Sequence, residues 1–242
     1  MSESSATPET VDATARKRSG RRPKSDQDVS REAMIACAIG IAQQESLTEV
    51  SMIRIGKELG VAAGMVHYRL GSRDELISAV INAAFNDRLQ RLPALSGDWR
   101  KDIEAFARSS LTTLERWPGL ATYILTVNKF RLFQRVQPGE IDYGLAYFDH
   151  IGHILKTAAL KEPFAALAYH LLMLFVSVIA AEKENHQAPH SHSDFIGGYL
   201  MKSAQQYPGA AFLASDFAAV DSATTFDTGL ALLLDGFESW RR

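Results

Sequence analysis

One cysteine in 242 residues rules out an intrachain disulfide and a cysteine-built zinc site. Cys37 falls in an apolar helical pattern, where a thiol serves as a small core residue, and a reducing cytoplasm fits that usage. No charge of one sign dominates either: 26 Lys and Arg stand against 28 Asp and Glu, a net charge of −2. The chain therefore has no general attraction for nucleic acid or anionic membrane, and any basic surface must be local. The opening MSESSATPETVDATARKRSGRRPK lacks the apolar run of a secretory signal and carries three acidic residues, unlike a transit peptide. Export is not expected. The longest uncharged run, nineteen residues from Pro163 to Ala181, approaches the length needed to cross a bilayer. It contains Tyr169, His170, Ser177 and several alanines and has no counterpart elsewhere, so burial inside protein explains it and no membrane partner is expected.

The motifs of catalysis are also missing. There is no Gly-x-Ser-x-Gly, phosphate loop, dinucleotide fingerprint or His-Glu-x-x-His. His150-x-x-His153 and the loop histidines His186, His190 and His192 have no carboxylate at a metal-ligand spacing. The expectation is a chain with no catalytic residue, metal or cofactor.

What is present is 46% hydrophobic residues, enough for a substantial core, in an uneven order. Residues 1–27 are rich in Ser, Thr, Ala and charge, contain no aromatic residue, and cannot repay the entropy of ordering by burial. This arm is expected to be disordered. It carries Arg16, Lys17, Arg18, Arg21, Arg22 and Lys24, six positive charges in nine residues, with Gly20 and Pro23 interrupting any helix. From Ser30 the period becomes helical: Met34, Cys37, Ala38, Ile41 and Ala42 mark a helix over about 30–44. Ser51 caps a second, barely two turns long, ended by Gly60. A third covers about 62–70, and Ser72-Arg-Asp-Glu75 has the form of a capping box opening a fourth that runs to about Leu92. Ile103, Phe106, Ala107, Ser110, Leu111, Leu114 and Trp117 line a fifth, closed by Pro118-Gly119. Further helices are expected at about 120–135, 139–160, 163–184, 194–206 and 220–240. Residues 185–193 read as a loop, and 207–219 as either loop or short helix. No period-two run signals a strand, so the fold class is all-α. The expected division is a basic arm (1–27), a helix-turn-helix domain (28–92) and a helical ligand-binding and dimerisation domain (93–242).

Two short helices with a glycine turn, SMIRIGKELGVAAGMVHYRLG from Ser51 to Gly71, form a helix-turn-helix pattern. Gly60 takes the strained backbone conformation, while Leu59 and Val61 bury against the first helix and hold the next one out, a geometry that suits a major groove. The segment from about Val29 to Leu92 resembles the DNA-binding domain of the tetracycline-repressor family. The resemblance runs through SREAMIACAIGIAQQES, LTEVSMIRIGKELGV and AAGMVHYRLGSRDELISAVI in order, with Gly64, Gly71, Ser72, Arg73, Glu75 and Leu76 fitting the family's last block. His67 stands where the family usually has a phosphate-contacting Tyr, Tyr68 comes one place later, Arg69 replaces His and Leu70 replaces Phe.

The resemblance implies a recognition helix over 62–70, a backbone contact at Ser51, and Arg73 in the place of the family's Lys. Ala62, Ala63, Gly64 and Met65 suit close approach and thymine-methyl contact, and His67, Tyr68 and Arg69 are the polar groups. Either all three face DNA or one, Tyr68 first, points into the domain. The basic arm (Arg16, Arg18, Arg21, Arg22, Lys24) then suits an adjacent minor groove.

The ending TTFDTGLALLLDGFESW is similar to the ends of members close to the tetracycline repressor itself. Phe226, Leu230, Leu233, Phe237 and Trp240 are spaced 4, 3, 4, 3, as in a helix–helix seam, and Gly229 and Gly236 permit close approach. With Leu171 and Phe175 of the helix at 163–184 they are expected to form a two-fold dimer interface, the alternative being an intramolecular core helix. The family also implies a ligand pocket. Phe106, Tyr123, Phe130, Tyr147, His150, Tyr169, His170 and Met173 are candidates for an apolar or aromatic ligand, each of which could equally be core. The expected function is a homodimeric regulator of transcription, a repressor released from a pseudo-palindromic operator by a small molecule. The alternatives are a ligand-independent activator or architectural protein, and an all-α carrier or enzyme.

Overall fold

Hydroxyls and carboxylates start the helices where the sequence puts them. In the computed structural model, which describes residues 29–127, 134–202 and 204–241, Ser30 Oγ accepts from the Ala33 N–H at 3.2 Å and opens α1 (Arg31–Gln44). Ser51 Oγ does the same for α2 (Met52–Leu59) through the Arg54 N–H at 3.2 Å. Gly60, at φ 68°, ends α2 in the left-handed region that a glycine enters without steric cost. After α3 (Ala63–Leu70), α4 (Arg73–Arg91) opens with both halves of a capping box: Glu75 N–H to Ser72 Oγ at 3.2 Å and Ser72 N–H to the Glu75 carboxylate at 2.6 Å. Asp98, Asp142 and Asp221 cap α5 (Trp99–Arg116), α7 (Tyr143–Thr157) and α11 (Ser222–Ser239). The remaining helices are α6 (Leu120–Thr126), α8 (Glu162–Glu184), α9 (Ser193–Met201) and α10 (Pro208–Ala218). No strand occurs among the described residues, and the fold is all-α.

One apolar core runs from Met34 through Ile77, Ile103 and Tyr147 to Phe237. Its first section is the inner face of α1 (Met34, Ala38, Ile41, Ala42) with Ile55, Val66 and Leu70 of the next two helices. Helix α4 passes out of this section and packs on α5 and α7. Polar ties reinforce the junction: Asn82 donates to the Ile141 carbonyl and accepts from the Tyr143 N–H, both at 2.9 Å, and Arg31 pairs with Glu140 at 2.7 Å. The Leu47 N–H donates to the Pro118 carbonyl at 2.8 Å, so the turn before α2 rests on the turn before α6. The apolar α8 packs against α5, α6, α7 and α11, burying Ala168, Leu172, Val176, Ser177, Ile179 and Ala180.

Several boundaries differ from the sequence expectation. The helix expected over 120–135 is described only as far as Thr126, with Phe130 outside the described residues. The one expected from 139 begins at Tyr143, because the Pro138-Gly139 turn precedes it and Asp142 supplies the cap. Of the two readings for 207–219 the helix holds, started by Pro208 at its first turn. The helix expected over 194–206 stops at Met201, and the loop at 185–193 contains a short 3₁₀ turn, Pro189–His192.

The close approach of α2 and α3 depends on Gly56, where a Cβ would lie 2.8 Å from the Val61 carbonyl oxygen and 3.3 Å from the Ala63 nitrogen, both backbone atoms. Gly56→Ala is therefore expected to destabilise the chain by about 1–3 kcal/mol despite alanine's better helix propensity. Urea unfolding followed by circular dichroism reads the change.

Candidate functional site

Helix α3 divides cleanly along its length. Val66 and Leu70 are buried against α1 and α4, while Gly64, His67, Tyr68 and Arg69 are exposed. Ala62 is exposed too, and Ala63 and Met65 are half-buried. Tyr68 is 90% exposed, which settles the choice left open by the sequence: its ring points outward. Arg73 is exposed at the first position of α4, one residue beyond its cap. The hydroxyl of Ser51 is half-buried and spent on capping α2. Arg54 on α2 is held as a bidentate partner of Glu45 (2.6 and 3.0 Å) with Glu58 at 2.8 Å, and those carboxylates push its already high pKa further up. The basic-arm residues Arg16, Arg18, Arg21, Arg22 and Lys24 lie outside the described residues.

In the C-terminal half the structure brings part of the predicted ligand set together. Tyr147, fully buried, stacks on Phe106 with centroids 4.7 Å apart and leans on Phe85 at 5.3 Å. Its hydroxyl and Ser110 Oγ are 2.6 Å apart, and it reaches Met173 Sδ at 3.5 Å. Burial pushes the Tyr147 and Tyr169 phenols up. His150 lies parallel to Phe106 at 6.4 Å; burial and then the neighbouring His153 hold its imidazole below the ordinary value. Tyr169 meets Phe148 edge-on at 4.9 Å and lines a groove of about 510 Å³ between α7 and α8 with Ile151, Leu155, Leu160 and Ala165. Tyr123 is buried on α6, and His170 is exposed on α8, away from this cluster's interior.

The expected dimer seam on α11 faces the other way. Phe226, Leu230 and Phe237 are 3%, 2% and 1% exposed within the single chain, joined by Leu234, while Leu233 is half-buried. Phe226 stacks on Phe175 at 5.8 Å, and a Cβ on Gly229 would lie 2.5 Å from that ring. The close approach is thus between α8 and α11 of one chain, so Phe226, Leu230 and Phe237 are core and Phe175 is partly covered. Of the exposed apolar stripe on α8, sequence reasoning named only Leu171, which is half-buried; it missed Leu167, Leu174 and Val178, which are open to solvent on either side of it at spacings 4, 3, 4. It also missed Phe195, Tyr199, Phe212, Leu213 and Phe217, exposed on the α9–α10 hairpin. The signal was available as a second apolar register on helices too apolar for one buried face. Among the described residues no cluster of three metal-ligating side chains occurs.

A family model described as "Tetracyclin repressor-like, C-terminal domain" matches residues 92–241. The chain belongs to that family. It is 31% identical over 108 residues to the HTH-type transcriptional repressor Rv1353c of Mycobacterium tuberculosis, a match covering 44% of this chain and only 41% of that protein. The HTH-type transcriptional repressor DrrR1 of Streptomyces coeruleorubidus is 26% identical over 237 residues, 92% of this chain and 81% of its own length. Apo ActR of Streptomyces coelicolor shares the fold, with a TM-score of 0.72 at 24% identity over 92% of this chain and 98% of its own. ActR in complex with actinorhodin matches at 0.72 and 25% identity, over 88% and 98%.

The half-buried His150 carries a pH dependence. The folded chain keeps it neutral to lower pH than the unfolded chain does, so on acidification the unfolded state takes up its proton first, and stability falls as pH drops through the ordinary imidazole range. His150→Gln is expected to lose less stability than the parent between about pH 7 and pH 5, as read by denaturant midpoints at the two pH values.

Proposed function

We propose that the chain is a homodimeric, ligand-responsive transcriptional repressor in which residues 1–27 form a basic DNA-contacting arm, 28–92 the DNA-binding domain and 93–242 the ligand-binding and dimerisation domain. The observation that carries the reading is the one-sided α3: its inner face is fixed in the core, while Gly64, His67 and Tyr68 share the outer face and Arg73 stands just beyond. Small residues at its start permit close approach to base edges, and the aromatic and basic groups that follow suit phosphates. Tyr68, exposed as it is, contributes little to folding in isolation, which supports a contact with DNA. The relatives named as repressors support the sign of regulation, and a neighbour holding actinorhodin supports a small-molecule effector. In this reading the chain performs no catalysis and acts on cytoplasmic DNA.

The stripe of Leu167, Leu171, Leu174 and Val178 supports pairing with a second copy: a 4, 3, 4 apolar edge on a packed helix is a helix–helix seam lacking its other half. A two-fold dimer presents two α3 helices to half-sites one groove repeat apart, roughly 34 Å. An effector that prefers a dimer with another separation draws the population off DNA; about 3 kcal/mol of differential affinity releases it roughly a hundredfold.

Fluorescence anisotropy with the DNA flanking the chain's own gene, across a salt series and against unrelated competitor DNA, tests the reading. His67→Ala and Arg73→Ala are each expected to weaken specific binding by about tenfold with melting temperature unchanged. Equal loss of binding to any competitor would reject sequence-specific regulation. Independently, Leu174→Glu is expected to convert the dimer to a monomer in sedimentation, because a charge in an apolar seam has no partner.

A further inference from the structure

Arg88 is an arginine in the wrong place for a solvated one. It sits on α4 at 3% exposure, inside the core that Phe85, Phe106 and Tyr147 build. A guanidinium remains protonated under any ordinary condition, so this is a permanent buried charge. Its guanidinium carbon lies over two aromatic rings, 5.4 Å from the Phe85 centroid and 5.2 Å from that of Tyr147. No ion pair is found for it among the described residues. The neighbouring Asp87 carboxylate is taken up by Arg91 at 2.8 Å, Trp117 Nε1 at 3.1 Å and Arg116 at 3.7 Å. Both Nε and Nη2 of Arg88 are buried without a hydrogen-bond partner.

Those two donors form one edge of the guanidinium, the side-on fork that matches two coplanar oxygens. Arg88 lines a narrow crevice, without room for a water molecule, together with Ile81, Ala84 and Phe85 of α4 and Leu120 and Ile124 of α6. A buried charge with two idle donors, dry apolar walls and aromatic faces lacks one thing, an anion with a flat apolar body.

We propose that Arg88 anchors the carboxylate of an aromatic acid, which enters between α4 and α6 and so is the effector class of this regulator. The inference rests on the ligand-responsive reading above and narrows it from aromatic to anionic aromatic ligands. It also supplies a route to DNA. The crevice has no room for an occupant as it stands, so one must move α6 away from α4. The turn that starts α6 bears on the turn before α2 through the Leu47 N–H and Pro118 carbonyl, and α4 itself begins beside α3. Both contacts of the site lead to the helix-turn-helix.

The test uses full-length protein and two matched probe pairs, benzoate with benzamide and 1-naphthoate with 1-naphthamide, measured by titration calorimetry. A carboxylate is expected to bind at least about tenfold tighter than its amide, the fold-change of one charge-assisted fork. Arg88→Met is expected to abolish that preference while leaving the ligand-free melting temperature unchanged or raised, since it removes an unpaired buried charge. Acid and amide binding alike, neither binding, or a preference that survives Arg88→Met overturns the site. Should Arg88→Met fail to fold, Arg88→Lys decides: it keeps the charge and removes the fork, and an undiminished preference again overturns the proposal. Anisotropy of the DNA complex separates the two readings. A carboxylate that binds at Arg88 without releasing DNA supports the site and rejects it as the effector site; release by some other compound, with no carboxylate bound, rejects the site and leaves the regulator standing.

Discussion

The burial of one broad face of α4 along most of its length is the constraint from which the rest of the structure follows. Leu76, Ile77 and Val80 complete the core beneath α1 and α3, and Ile81, Ala84, Phe85 and Arg88 continue on the same helix into the core of α5 and α7. A continuous α-helix of 19 residues is a rod of roughly 28 Å at 1.5 Å per residue, with no proline or mid-helix glycine to let its halves bend apart. Displacement at one end is therefore carried to the other as rotation or translation. Cores are close-packed and shift between discrete arrangements more readily than they deform, so α4 can pass a change in the C-terminal half to the capping box at Ser72 and to α3 beside it.

Local chemistry was legible in the sequence; the choice of partner for each apolar face was not. Caps are encoded within four residues, and Ser30, Ser51, Ser72 and Gly60 all act as their positions predict. The helix-turn-helix is built almost wholly from such short-range signals, so its outline and the outward face of α3 could be drawn from residue order. Tyr68 remained ambiguous because an aromatic side chain beside Leu70 fits either face of an eight-residue helix, and only the packing of Val66 and Leu70 decides it.

The α11 seam shows the limit from the other side. A 4, 3, 4, 3 apolar period states that a helix packs against another helix, and it is silent about which chain supplies that helix. Here Phe175 of α8 lies against Gly229 and Phe226, which consumes the periodic face inside the single chain. The unused apolar edge passes to α8, whose inner residues already serve α5, α6, α7 and α11. Its all-round apolar composition, the same feature that raised the question of a membrane, is what a helix needs when it is core on one side and carries Leu167, Leu174 and Val178 on the other. The ligand residues were half-legible for a related reason: Phe106 and Tyr147 do converge, but convergence of aromatic rings is also how a core is filled.

Arg88 was legible in principle. Ile77, Ile81, Ala84 and Arg88 stand at spacings 4, 3, 4 on α4, so the arginine occupies an inner-face position that the pattern reserves for an apolar residue. Methionine there would fill similar space without a stranded charge, and replacing buried ions by apolar residues is often stabilising by about 1–4 kcal/mol. A fold that retains the guanidinium forgoes that stability. The cation–π contacts with Phe85 and Tyr147 offset part of it, about 0.5–2 kcal/mol apiece at the upper range of desolvation, and neither satisfies Nε or Nη2. An anion completing the fork would contribute about 1.5–3 kcal/mol as a charge-assisted pair, the same order as the differential affinity that releases DNA a hundredfold. If the fork closes only in the arrangement with α6 displaced, that one arginine is enough in magnitude to make the proposed ligand compete with DNA.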